Sequence, residues 1–238
     1  MCGVDDQKKI NQIVKESGTS FYWGMKILNK EKRFAMFTIY AFCRIIDDIA
    51  DSEQNVEIKL SQLKNWKSKI NKVYKDHSSD SITRKLLESK NKFGLKKEDF
   101  LSIIEGMRMD IIEEIRYPSK KKIDLYCSRV AGAVGCLSMN IFGIKSKLGR
   151  TYANLLGKAF QFTNILRDLK EDSERNRCYI TLDIIKKFKK EKKSPQEIIK
   201  SLDIKLINKE MVRRTQKYYD DAEKISRKFK KKDLKAAI

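Results

Sequence analysis

The sequence predicts an all-α fold. Apolar residues recur at helical spacing and strand alternation is scarce. The segments between chain breakers run to about 10 to 30 residues, a helix-like length. Only two prolines and ten glycines interrupt 238 residues. Breakers fall at Ser17–Ser20, His77–Asp80, Gly94, Tyr117–Pro118, Gly143–Gly149, Ser173–Arg177 and Ser194–Pro195. The helices between them are expected near 5–16, 21–28, 30–52, 56–75, 80–92, 96–115, 122–142, 147–172, 180–191, 195–202 and 205–236. Ser194–Pro195 reads as a helix start, with Ser as the cap and Pro in the first turn. No solenoid-period repeat and no glycine-rich phosphate loop after a strand occurs, so one all-α domain over 1–238 is expected.

Hydrophobic residues at 41% argue for a globular chain despite the charge. The longest apolar runs, Phe34–Cys43 and Gly132–Ile144, fall short of the roughly 18 to 20 residues of a spanning helix. Acids and lysines in the first nine residues do not resemble a signal peptide. Five irregularly spaced cysteines without a CxxC argue against a disulfide framework or a zinc site and fit a reducing cytoplasm. The single histidine, His77, lies in a loop-like stretch, and a Ser-His-Asp or Cys-His engine, which is not expected, would depend on that one residue.

The formal charge is +21, carried by 53 Lys and Arg against 32 Asp and Glu. The excess is densest in the runs Lys120–Lys122, Lys186–Lys193 and Lys228–Lys232. No zinc-finger spacing or RNA-binding aromatic motif accompanies it, so no nucleic-acid partner is expected. Solvated lysine faces account for it, and a peripheral contact with anionic membrane at the cytoplasmic face is a further expectation.

Two segments carry chemistry. In Ala35 to Asp51, residues Tyr40, Arg44, Asp47 and Asp51 are spaced 4, 3 and 4, one stripe of a helix that is otherwise apolar. Asp48 turns about 100° away from Asp47. In Leu155 to Asp172, residues Gln161, Asn164, Asp168 and Asp172 form a second stripe, with Arg167 beside it. Asp76 and Asp80 share the spacing but have serines around them rather than an apolar helix, and read as coincidence. Facing stripes would converge several carboxylates, which need cations to stay ionised at close range. Oxygen ligands without His or Cys favour Mg²⁺, which bridges carboxylates to phosphates. Arg44 and Arg167 would add bidentate phosphate contacts, and the chemistry this suits is departure of a diphosphate. Buried salt bridges without metal, such as Arg44 to Asp47 or Asp48, are the alternative.

The stretches Ser17 to Met25, Ala35 to Asp51, Leu125 to Gly135 and Leu156 to Ile180 resemble the squalene/phytoene synthase family, over about residues 10 to 225. The resemblance implies an isoprenoid-synthase helical bundle around a central cavity, and head-to-head joining of two prenyl diphosphates. Trp23, Glu105 to Asp110 and Val134 to Gly143 look most like bacterial presqualene diphosphate synthases, acting on two farnesyl diphosphates in squalene and hopanoid synthesis without NADPH. Phytoene or dehydrosqualene synthase is the alternative.

By position, the resemblance implies that Asp47, Asp51, Asp168 and Asp172, with Asn164, hold Mg²⁺ and diphosphate. It likewise implies Arg44, Arg167, Gln161, Ser20, Phe21 and Tyr40 at the substrates, and Tyr126 near the reacting carbons. Ser17–Ser20 reads equally as a plain N-cap. Arg177 and Tyr179 would close over the diphosphates as a flap or cap a helix, and Gly132 and Gly135 read as close-packing positions. The proton-accepting base is the released diphosphate or a tyrosine hydroxyl. The family usually continues for some tens of residues with one more cavity helix, so an inactive fragment or a non-catalytic family relative is the second alternative. A head-to-tail elongase is disfavoured, because Ser52–Glu53 follows the first motif where an arginine pair is usual.

Overall fold

The computed structural model describes residues 2–112 and 115–229. Thirteen α-helices follow one another among those residues: α1 Cys2–Glu16, α2 Phe21–Lys26, α3 Lys30–Asp51, α4 Val56–Val73, α5 Ser81–Phe93, α6 Lys97–Ile112, α7 Lys120–Cys127, α8 Ala133–Phe142, α9 Lys147–Arg167, α10 Leu169–Glu174, α11 Leu182–Lys187, α12 Pro195–Ile199 and α13 Ile204–Ser226. A π-helical turn, Ser128–Gly132, joins α7 to α8. The described residues contain no strand, only an isolated bridge between Arg116 and Cys178.

Local chemistry explains the boundaries. The side chains of Asn29, Asn55, Ser119 and Ser146 each accept a backbone N–H in the first turn of the helix that follows. Ser194 and Glu197 form a reciprocal capping box with Pro195 at the start of α12, as the sequence predicts. Asp80 caps α5 and accepts from Lys69 at 2.7 Å, while Asp76 sits at φ +61° and accepts from Lys90. The Asp76–Asp80 spacing is therefore structural, as expected.

Four expectations are corrected. Within Ser17–Ser20 the side chain that accepts an N–H of α2 is Thr19, whose Oγ1 takes the Phe21 N–H, whereas the Ser20 backbone is helical and its side chain makes no cap bond. The expected 147–172 helix breaks at Asp168, whose backbone (φ −101°, ψ 12°) ends α9 and begins α10. The 180–191 helix is trimmed to α11, with Lys189 at φ +52° just beyond it. Finally, the continuous helical stretch Lys120–Phe142 is long and apolar enough to cross a membrane by length and composition. Half of its apolar window is buried inside the protein, as in a core helix. The expected 205–236 helix ends at Ser226, residues 227–229 turn away, and the rest of that span lies outside the described residues.

Two main cores divide the bundle. The first is built from α1, α3, α4, α5, α6 and α8 around Phe42, Phe100 and Ile46. The second gathers α7, α9, α11, α12 and α13 around Phe162, Ile180 and Ile207. Val130, in the π-turn, packs against both. A smaller third cluster binds α8, α9 and the end of α13.

Glycines let α9 approach closely. A Cβ on Gly157 would lie 2.6 Å from the Ala131 carbonyl oxygen, and one on Gly135 2.7 Å from the Ala153 carbonyl oxygen. One on Gly132 would meet the Asn154 amide at 2.5 Å. Gly132 and Gly135 are thus packing positions, as the sequence reading holds. Both α3 and α9 pack on α8, so the helices carrying the two stripes are held in a fixed relation through a shared neighbour.

Candidate active site

The first stripe lies along α3. Tyr40 and Asp47 are half-buried, while Arg44, Asp48 and Asp51 are exposed. Asp48 turns outward as predicted and pairs with Arg44 at 2.9 Å. That pair occupies Arg44, the residue expected on diphosphate, at the solvent side of the helix.

The second stripe runs through the break at Asp168. The Asp168 N–H donates to the Asn164 carbonyl and the Asp172 N–H to the Asp168 carbonyl, both at 2.9 Å. These i→i+4 bonds carry the register across the break, so Gln161, Asn164, Asp168 and Asp172 are all half-buried. Arg167 folds onto its neighbour instead, donating to both Asp168 oxygens at 2.6 and 2.7 Å. Phe21 of α2 sets its ring 6.5 Å from Phe160 of α9.

The segment after α10 joins the stripes. Arg177 Nη1 donates to Asp51 Oδ1 at 3.3 Å, and Arg175 Nη1 lies 3.5 Å from Asp51 Oδ2. The Arg177 N–H donates to the Asp172 carbonyl at 2.8 Å, so one residue touches both motifs. A left-handed Asn176 (φ +60°) turns the chain there. Arg116 Nε donates to the Asn176 carbonyl, the Tyr117 N–H to the Cys178 carbonyl and the Cys178 N–H to the Ile115 carbonyl. The segment is pinned along 115–117, and it also caps α10: with Asn176 left-handed, the Asn176 N–H donates to the Ser173 carbonyl and the Arg177 N–H to the Asp172 carbonyl.

Beneath Arg177 lies an acid that spacing arguments miss. Asp110, near the end of α6, accepts from Tyr126 Oη at 2.7 Å and Tyr179 Oη at 2.9 Å. The two tyrosine rings stack at 5.4 Å. Asp110 has no partner at helical spacing within its own helix. Its signal in the sequence is its place in the Glu105 to Asp110 stretch of the resemblance, not a stripe spacing. Tyr126, expected near the reacting carbons, is 4% exposed. Its hydroxyl is engaged by Asp110, which makes it a positioning group for that carboxylate.

The acids feel one another. Burial, then the neighbouring Asp51 and Asp110, push Asp47 up to about 7. Burial, opposed by Arg177 and reinforced by Asp168 and Asp110, pushes Asp172 up to about 6. Burial also raises Asp110 despite its two tyrosine donors, and burial beside Asp110 pushes the Tyr126 phenol well above its ordinary value. Oxygen donors whose charges oppose one another are what a hard divalent cation relieves. Among the described residues, however, no group of three or more His, Cys, Asp or Glu side chains could hold a metal ion by itself. The expected convergence of all five ligands is thus not preassembled. Mg²⁺ needs only one or two carboxylates when phosphate oxygens and water complete its shell, and pairs of these aspartates fit that mode.

The squalene/phytoene synthase family profile matches residues 14–238. The chain belongs to the squalene/phytoene synthase family. Among its relatives, a presqualene diphosphate synthase from Sinorhizobium fredii is 45% identical over 68% of this chain and 58% of its own length. One from Rhodopseudomonas palustris is 37% identical over 92% of this chain and 78% of its own. A 15-cis-phytoene synthase from Synechocystis is 30% identical over 90% of this chain and 66% of its own. The chain thus spans little more than half of the Sinorhizobium relative. Two solved structures share the fold. A dehydrosqualene synthase superposes with TM-score 0.85 at 23% identity, over 99% of this chain and 82% of that one. A squalene synthase from Alicyclobacillus acidocaldarius superposes with TM-score 0.87 at 20% identity, over 97% and 88%. In this member of the family, the first aspartate motif lies on α3, the second spans the junction of α9 and α10, and Arg175 and Arg177 reach Asp51 from the segment that follows.

Proposed function

We propose that the chain is a presqualene diphosphate synthase, joining two molecules of farnesyl diphosphate head to head at the two aspartate stripes. The observation that carries this reading is Arg177, which touches Asp51 of the first motif and the backbone of Asp172 in the second. Family membership and the relatives named presqualene diphosphate synthase support it.

In this reading Asp47, Asp51, Asp168 and Asp172, with Asn164, hold Mg²⁺ and the diphosphates. When bound, Mg²⁺ supplies the positive charge that lets diphosphate leave. Arg44 and Arg167 exchange their neighbouring carboxylates for phosphate oxygens, which bidentate guanidinium geometry permits. Gln161, Tyr40, Phe21 and Ser20 border the chains of the substrates. One farnesyl diphosphate loses its diphosphate, and the allylic carbon alkylates the 2,3-double bond of the second. Loss of one proton closes the cyclopropane and leaves presqualene diphosphate. The Tyr126 phenol is buried and held protonated, which favours the released diphosphate as proton acceptor. The reaction needs no NADPH and takes place at the cytoplasmic face of a membrane that receives apolar products.

The test is incubation with farnesyl or geranylgeranyl diphosphate plus Mg²⁺, without NADPH, and identification of the product by mass. Presqualene diphosphate is the expected product. Phytoene from the C20 substrate would move the chain to the phytoene synthases. Asp168→Asn should abolish turnover while circular dichroism keeps its helical signature; near-normal turnover in that variant would sink the assignment.

A further inference from the structure

A second surface lies around α2, on residues other than the Phe21 that faces Phe160. Trp23 is 70% exposed and Ile27, one helical turn on, is 86% exposed. Residues four apart share a helix face, so these two large apolar side chains form one outward ridge. Cations surround the ridge. Lys26 Nζ lies 5.0 Å from the Trp23 ring and 5.4 Å from the Tyr22 ring. Lys30 and Arg33 lie 6.0 and 5.7 Å from the Phe34 ring. Arg33 also donates to the Lys26 carbonyl, stitching the end of α2 to α3. Beside them opens a cleft of about 770 Å³ lined by Lys15, Lys26, Arg33, Tyr22, Phe34 and Phe37 among others.

The nearby acids do not neutralise this face. Glu31 is paired with Lys92 at 2.5 Å, and Glu16, which accepts from the uncharged Gln12 amide, leaves one negative charge against Lys15, Lys26, Lys30 and Arg33. An exposed tryptophan and isoleucine ringed by lysine and arginine match the depth profile of a bilayer surface. The apolar tips reach the acyl boundary, the indole sits among headgroups and the cations meet lipid phosphates.

We infer that the Trp23–Ile27 ridge of α2, with Lys26, Lys30 and Arg33, is a docking face for anionic phospholipid membrane. The inference stands apart from the assigned reaction, because vesicle binding is read without turnover.

The protein's two tryptophans make the test specific. Trp66 is buried at 8% exposure, so lipid contact changes the emission of Trp23. The whole chain is mixed with phosphatidylcholine vesicles, alone or with about a third phosphatidylglycerol. The expected result is co-sedimentation with the anionic vesicles only, weakened by salt, with a blue shift of Trp23 emission and quenching by brominated acyl chains. Ile27→Asp should weaken binding at least about tenfold. Lys26→Glu should weaken it at least about fivefold. Lys190→Glu with Lys192→Glu, in the Lys186–Lys193 run, should leave it unchanged. Circular dichroism and the buried Trp66 signal report that the variants fold. Binding that survives Ile27→Asp, binding lost through the Lys190/Lys192 variant, or a ridge that pairs two copies of this chain without binding vesicles overturns the inference.

Discussion

Arg177 lies 3.3 Å from Asp51 across 126 residues of sequence, and its backbone N–H rests on the Asp172 carbonyl. This side-chain contact links the end of α10 to the first motif. Arg177→Ala should therefore reduce kcat/KM for prenyl diphosphate by about 10²-fold or more, the order expected when a positioned charge at a reacting centre is lost. Arg177→Lys should recover only part of that loss, because a point charge cannot reproduce a planar fork. Steady-state kinetics with unchanged circular dichroism would check both.

Asp47 is raised to about 7, so between about pH 4 and 7 the folded protein holds a proton that the unfolded chain releases. Its contribution to stability therefore falls as pH rises through that window and is level above it. Mg²⁺ should raise the melting temperature at pH 7.5, where the carboxylates are ionised, and much less at pH 5. EDTA should reverse the gain. Thermal melts at the two pH values decide, and an equal Mg²⁺ effect at both would contradict the site.

Tyr126 and Tyr179 both donate to the buried Asp110. Tyr126→Phe removes one donor and leaves a buried carboxyl under-satisfied, at a cost of about 1–3 kcal/mol. The melting temperature should drop, and Asp110→Asn combined with Tyr126→Phe should cost less than the sum of the two single changes. A double-mutant cycle in urea would measure that coupling.

Gly157 faces the Ala131 carbonyl at a distance no Cβ tolerates. Gly157→Ala must push α9 off the π-turn and should cost about 1–3 kcal/mol. Gly18→Ala, where nothing lies within 4 Å but φ is +62°, should cost less, by backbone strain alone. Urea denaturation curves of the two variants should rank in that order.

Asp6 is held down to about 2, first by the paired bonds from Arg84 at 2.7 Å. A depressed carboxyl contributes stability above its unfolded value near 3.8 and loses it as pH falls through about 2. Because the Arg84 side chain is 38% exposed, solvent screening leaves the pair worth about 1 kcal/mol. Asp6→Asn should lower stability at pH 7 by that amount and cost almost nothing at pH 2, as chemical denaturation at the two pH values would show.

Local chemistry, legible in the sequence, determined most of the helices. Asn29, Asp80 and Ser194 cap where side-chain oxygens meet the first free N–H groups, and apolar spacing gives each helix its buried face. The stripes on α3 and α9 were readable for the same reason, since spacings of three and four on one helix impose a shared face. Tertiary structure alone decided what depends on contacts far apart in the chain. It set Arg177 against Asp51, whereas the Arg44–Asp48 and Arg167–Asp168 pairs are local contacts within four residues. It also buried Asp110 between two tyrosines drawn from segments 16 and 69 residues away. Periodicity reports only on neighbours within one helix, and a lone carboxylate gains its meaning from residues that the fold, not the helix, brings to it.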